Sequence, residues 1–457
     1  MSLVVSNAMP KSLKDAELKD HLQRLRQTDN VTNWLYLARS YVFLALVLVG
    51  AIWFDQVRQA EGWCVLYSAA VFVVAIVLIG AGQHQLSGLA HEGSHHILFR
   101  NRTLNELASD WFCLFPLFSS THHYRLQHLA HHQFVNDPVR DPDVSQLQTS
   151  GHWLPFPMAK WAFIKTLLKQ LWLPNLARFI LVRAKYNATG TDKNPYMRKG
   201  HTQSKAPVRV GLLYMLALVG SLVGLVYHGD TLLLAVVPAT LWLVTMAIFS
   251  RLPADKFHQS RLHPVVSQKT MSMLRVSFVT LVFVSLAWVQ HLTGVWAWAY
   301  YGLLWVVPLF TSFAFYMILR QLVQHGNGDR GWLTNTRVFF VGRFINFAVF
   351  PMGQEFHLPH HLYATVPHYR LGELHRILLA YPEYQEQALE VHGYFVSPER
   401  PQVHPTVLDV VGPDYRAREF NGVHIDNTVL DDCKVEERDQ IESEGEAEKK
   451  RHSDSRV

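Results

Sequence analysis

Cysteine is nearly absent from this chain. Cys64, Cys113 and Cys433 stand far apart in 457 residues, which excludes a disulfide framework and a cysteine-based zinc or iron–sulfur site. Charge is scarce too: Asp, Glu, Lys and Arg make up 17% of the residues, against 49% apolar ones. There is no glycine-rich dinucleotide fingerprint and no His-Pro-Gly-Gly haem-binding stretch, so electrons for any redox reaction must come from another protein. No early apolar run has the short core and small-residue cleavage site of a signal peptide, so the N-terminus is expected to stay cytoplasmic. The net charge of +6 is modest, and no nucleic-acid partner is expected.

The apolar residues fall in long runs, the pattern of a polytopic membrane protein. Spans are expected at about Trp34–Phe54, Trp63–Gly82, Val210–Tyr227, Leu232–Phe249, Val276–Gln290 and Val295–Leu319. The last four form two tight pairs whose inner links, His228-Gly229-Asp230-Thr231 and His291-Leu292-Thr293-Gly294, carry no Lys or Arg. The link between the pairs holds Arg251, Lys256, Arg261, Lys269 and Arg275. Positive residues mark the cytoplasmic side, giving six spans with both termini inside. Trp111–Phe118 is too short to cross, and Val338–Met352, interrupted by Arg343, reads as interfacial. The stretch Trp153–Tyr186 interleaves aromatic and basic residues, as a helix in the membrane interface does.

Histidine, with 26 copies, is the abundant metal-capable residue. Three clusters stand out: His91-Glu92-Gly93-Ser94-His95-His96, His128-Leu129-Ala130-His131-His132, and His357-Leu358-Pro359-His360-His361. Residues four apart share a helical face, so His91 and His95 point the same way. Four spans separate the second cluster from His325 and the third, and an even number returns the chain to the same side. Neutral nitrogen ligands suit iron, copper or zinc and disfavour magnesium or calcium. Nine imidazoles, with His325 counted, match two metals of four or five ligands each. Structural roles are expected for His84, His96, His122 and His123.

These boxes resemble those of the membrane-bound fatty acid desaturase superfamily, integral-membrane di-iron enzymes with the pattern H-x3-4-H, H-x2-3-HH and H-x2-HH. The surrounding text is similar as well: Tyr124-Arg125-Leu126-Gln127 leads into the second box, and Asn136-Asp137-Pro138 and Asp141-Pro142-Asp143 follow it. Val366-Pro367-His368-Tyr369-Arg370-Leu371 and Glu373-Leu374-His375 follow the third. The resemblance covers roughly residues 33 to 380. It implies an all-α membrane helical bundle with a cytoplasmic helical cap holding the di-metal site. The implied ligands are His91, His95, His128, His131, His132, His325, His357, His360 and His361. His96 is assigned a supporting role beside His95. By the same analogy Gln321 stands where relatives carry a water-holding asparagine, and Glu92, Asp143 and Glu373 are candidates to orient ligand histidines. The family is usually described with four spans, so one pair here is additional, around Val210–Phe249 or Val276–Leu319.

The resemblance further implies two iron ions, O2 as co-substrate, a lipid or fatty acyl substrate in the membrane, and a ferredoxin- or cytochrome b5-type electron donor. Removal of two hydrogens gives a C=C bond. The same ligands would serve a hydroxylase or a terminal-alkene-forming fatty acid decarboxylase. The alkane-hydroxylase box Glu-His-x-x-Gly-His-His is absent at His128. A metal transporter or sensor would place ionisable residues at mid-span, where this chain has almost none. The expected organisation is a cytoplasmic segment at 1–32, the desaturase-like domain at 33–380, a cytoplasmic extension at 381–430 and a disordered charged tail at 431–457.

Overall fold

The computed structural model describes residues 11–189, 194, 196 and 204–415. The expected charged tail, and Cys433 within it, lie outside the described residues. The fold is helical, as expected, and among the described residues six helices are long and apolar enough to cross a membrane. They are α2 (Thr32–Ala60), α3 (Val65–Ser94), α9 (Ala206–His228), α10 (Thr231–Arg251), α11 (Gln268–Thr293) and α12 (Ala297–Gln324). Between α3 and α9 come α4 (Arg102–Ser109), α5 (Thr121–Phe134), α6 (Pro142–Ser150), α7 (Lys160–Gln170) and α8 (Leu173–Thr189); α1 is Ala16–Leu25.

The length of α3 decides where the first histidine box sits. Thirty residues rise about 45 Å at 1.5 Å each, whereas the hydrocarbon core is about 30 Å thick. The last turns therefore emerge from the apolar layer without breaking the helix, and they carry His84 and His91. The expected end at Gly82 marks the end of apolar sequence, not of the helix.

Outward faces of the spans are greasy. Leu46, Val49, Val73, Leu213 and Leu281 are all exposed, a surface that water penalises and lipid accepts. Only α12 is half buried within the protein, whereas the windows of the other five are a third buried or less. It packs on α3 and, through Leu309, Phe313, Met317 and Leu322, on the main core. Helices α9 and α10 pack on each other and on α11 around Tyr214, Leu218, Leu222, Leu234 and Ala287. They carry none of the nine histidines.

Val338–Met352 is not a span. It forms the strand β1 (Val338–Phe340) and a short helix, Arg343–Val349. β1 pairs in parallel with β2 (Glu390–His392), Phe339 opposite Val391, a small departure from the all-helical pattern. Trp153–Tyr186 forms α7 and α8 instead of one helix. The terminal segments join the body: Leu18, Leu22 and Leu25 of α1 pack on Leu358, Leu362 and Leu374, and Val407, Leu408 and Val410 enter the main core.

Candidate metal centre

Three local features aim the histidine boxes at one another. The first is the end of α3, where Arg125 of α5 donates from Nε to the Ser94 carbonyl at 2.8 Å and from Nη2 to the Gly93 carbonyl at 2.9 Å. These carbonyls are left over at a helix C-terminus, and a cation there complements the helix dipole. Arg125 is itself balanced by buried Glu106, at 2.7 Å. Gly93 is required because α4 comes so close that an added Cβ would lie 2.3 Å from Ser109 Oγ.

The second is the loop after α5. Asp141 caps α6 by accepting the Asp143 N–H, with Pro142 in the first turn, a sequence-readable helix start. Its carboxylate also accepts from His131 Nδ1, at 3.0 and 3.1 Å. The third is Gly353, whose φ of +75° lies in the left-handed region. A Cβ there would meet the His368 carbonyl oxygen at 2.8 Å. This turn starts the short helix His357–Leu362 that carries the third box.

The nine expected imidazoles come together in two groups. His91, His95, His128, His132 and His360 form one, His131, His325, His357 and His361 the other, and within each group one ligand atom per residue lies within 4.8 Å of the rest. Nε2 atoms are 2.8 Å apart for His95 and His128, 3.0 Å for His128 and His132, and 3.1 Å for His132 and His360. In the second group, His325 and His357 stand 3.0 Å apart. Two imidazole nitrogens bonded to one ion at about 2.1 Å lie about 3.0 Å apart when the bonds meet at a right angle, so the spacing fits a shared metal.

Burial makes the same point. His361 is fully buried and neither ring nitrogen has a hydrogen-bond partner. An unpaired buried polar group is costly, and a metal on one nitrogen removes much of that cost. Burial is also the main cause that pushes His128, His132, His325, His357 and His361 far below the usual imidazole pKa, keeping them in the neutral, ligating form. The donor set of nine imidazole nitrogens fits iron, copper or zinc.

Partners on the far side of the rings fix their orientation. Asp141 holds His131, and the Asn335 carbonyl accepts from His325 Nδ1 at 3.1 Å; each fixes the direction in which its ring faces. Glu92 lies 3.4 Å from His91 Nδ1 and accepts the His368 N–H at 2.8 Å. The Gln354 amide lies 3.1 Å from His91 Nδ1. Sequence reasoning missed Asp141, Asn335 and Gln354. For Asp141 a signal existed, since the Asp-Pro-Asp start of α6 marks its first Asp as the cap.

The other residues singled out in the sequence lie outside the two groups. Asp143 stands 4.0 Å from His131, behind Asp141, and accepts weakly from Gln321 at 3.4 Å. Glu373 pairs with Arg24 of α1 at 2.6 Å and serves to dock that helix. His96 sits outside both groups, 3.5 Å from Arg125 Nη2, so His95 is the member of the first box that joins His91. His84 bonds the Ala348 carbonyl and His122 bonds Ser260; His123 packs its ring 4.4 Å from that of His258. A third group, Glu390, His392 and His404, lies half-buried near β2, its imidazoles bonded to Glu399 at 2.8 and 2.7 Å.

The nine-histidine arrangement, ordered along six apolar helices, agrees with comparison to known proteins. The sequence profile of the fatty acid desaturase family matches residues 67–255 and 252–393. The chain belongs to the fatty acid desaturase family. It is 25% identical over 407 residues to the dihydrorhizobitoxine desaturase of Bradyrhizobium elkanii, covering 86% of this chain and 87% of the relative. Over 73 residues, 16% of each chain, it is 37% identical to the Delta(5) fatty acid desaturase fat-4 of Caenorhabditis elegans. As a member of this family it is an oxidoreductase, and its histidine groups are suited to hold metal.

A cavity of about 330 Å³ opens onto the site, near the lower end of the range for small-molecule pockets. His91, His128, His131, His325 and His357 line its floor. A second cavity of about 220 Å³, walled by Leu114, Leu117, Ile180, Leu309 and Phe313, shares Tyr124, Arg183 and Asn187 with the first.

Proposed function

We propose that this chain is an O2-dependent di-iron desaturase that inserts a C=C bond into an acyl chain. The observation that carries this reading is the division of nine imidazoles, eight buried and His325 half-buried, into a group of five and a group of four. Both relatives are named for desaturation, which favours C=C formation over hydroxylation by the same ligands. The histidine groups and both termini face the cytoplasm in this reading, and the electrons come from a separate ferredoxin- or cytochrome b5-type protein.

When bound, a pair of irons supplies the reductive activation of O2 needed to break an unactivated C–H bond. His91, His95, His128, His132 and His360 would hold one ion, and His131, His325, His357 and His361 the other. Asp141 and the Asn335 carbonyl keep the Nδ1 protons of His131 and His325 in place, so that each ring presents Nε2. Burial of eight of the nine rings, with His325 half-buried, limits the access of water to the reacting bond. In balance, the substrate loses two hydrogens from adjacent carbons. With O2, two electrons and two protons they become two waters.

Profiling the lipids and free acids of a host that expresses the chain tests this reading, with His360→Ala as the control. A product lighter than its precursor by two hydrogens, absent with the variant, is expected. A product heavier by one oxygen would show hydroxylation instead.

A further inference from the structure

The lining of the larger cavity is not that of an acyl tunnel. Arg320, on α12, is 6% exposed, lines the cavity, and its Nε has no hydrogen-bond partner. Among the described residues no carboxylate forms an ion pair with it. Arg183, on α8, lines both cavities, and its Nη1 is likewise unpartnered. Both line the larger cavity beside Tyr124, over whose ring Arg183 lies at 5.8 Å.

The carboxylates nearby do not neutralise them. Asp141 is engaged by His131 and by the N–H groups of Asn136 and Asp143. Asp143 forms no salt bridge with Arg320, its near partners being Gln321 and His131. The imidazoles bring no negative charge. Gln127 Oε1, Gln146 Nε2 and Gln321 Oε1, also at this cavity, lack partners too. A buried cation is normally paired, because leaving it alone is expensive. Buried Arg320 and half-buried Arg183, neither in an ion pair among the described residues, face one cavity and are therefore a site for an anion, which Arg binds well because its planar fork matches carboxylate and phosphate oxygens.

We propose that the substrate is held by an anionic group, a carboxylate or a phosphate ester, between Arg320 and Arg183, with its apolar remainder in the second cavity. The class is a free acid or small phosphorylated compound with the anion close to the reacting carbons, in place of a neutral acyl ester. The proposal rests on reading the nine imidazoles as the reacting centre.

Calorimetric titration of the full-length, detergent-purified protein, stripped of metal, tests the anion site without turnover. The probes are octanoate, octyl phosphate and methyl octanoate. One of the two anions should bind at least about tenfold more tightly than the ester, as expected for a charge-assisted contact, and the preferred one identifies the anion. Arg320→Gln and Arg183→Gln should each lose about that factor for the anion and little for the ester, while Arg320→Lys keeps part of it. The Arg320→Gln protein should melt at or above the wild-type temperature, because an unpaired buried charge has been removed; a lower melting temperature would mark Arg320 as structural and overturn the proposal. Equal affinity for all three probes, or wild-type octanoate and octyl phosphate binding by both Gln variants, would also overturn it. Loss of the iron and O2 reading would leave this titration unchanged, so the two failures are distinguishable.

Discussion

His131 and His132 are neighbours in the chain but belong to different imidazole groups. Their ring centroids are 5.9 Å apart with planes at 78°, because successive residues on a helix point about 100° apart. His360 and His361 repeat the relationship, at 5.8 Å and 89°. Each paired histidine thus spans the two groups, and each single histidine of a box serves one. Changing His132 or His360 to Ala should remove one of two bound metals, and changing His131 or His361 the other, each abolishing turnover. His96→Ala should keep both metals and near-wild-type activity. Metal content per chain, measured alongside turnover, checks this.

Asp141, not Asp143, holds His131. Asp141→Asn should lower metal affinity or activity about 10- to 100-fold, the usual effect of losing such an orienting partner. Asp143→Asn and Glu373→Gln should change either by much less. Competition with a chelator of known affinity gives the comparison, and equal losses for all three variants would contradict the assignment.

Arg125 joins the end of α3 to α5 and balances buried Glu106. Arg125→Ala leaves that carboxylate unpaired and should destabilise the fold by about 3–5 kcal/mol. Adding Glu106→Ala should cost less than the sum of the two single changes, as for residues in one buried network. Denaturation of the detergent-purified variants measures the difference.

Stability of the metal-free protein should fall with pH. Burial depresses the pKa values of His128, His132, His325, His357 and His361 in the folded state. Unfolded imidazoles titrate at about 6.5, so below that pH the unfolded chain binds more protons than the folded one. The contribution is present above about pH 6.5 and is lost progressively below it. Melting temperatures between about pH 7.5 and 5.5 should drop steeply; a flat profile would contradict the burial of these rings as neutral groups.

Much of this was legible in the sequence because a membrane constrains it so strongly. A span needs a long apolar run, and the histidines stand out against such a background. The spacing of His91 and His95 showed a shared helical face, and the even number of spans brought His325 back to His131, whose rings are 4.8 Å apart. Long-range pairings were not legible. Glu373 reads as a site residue until Arg24, some 350 positions earlier, is seen beside it. The assignment of each histidine to a group depends on how α5 and His357–Leu362 face each other across 228 residues of chain. Unpaired Arg320 looks, in sequence, like any polar residue near the end of a span.

The central claim is that the nine histidines hold two irons that work with O2. The most direct measurement is iron content per chain in purified protein, together with O2-dependent consumption of reductant. About two irons per chain, with O2 uptake lost in His360→Ala, is the predicted result. A single zinc per chain and no O2 uptake would contradict the account.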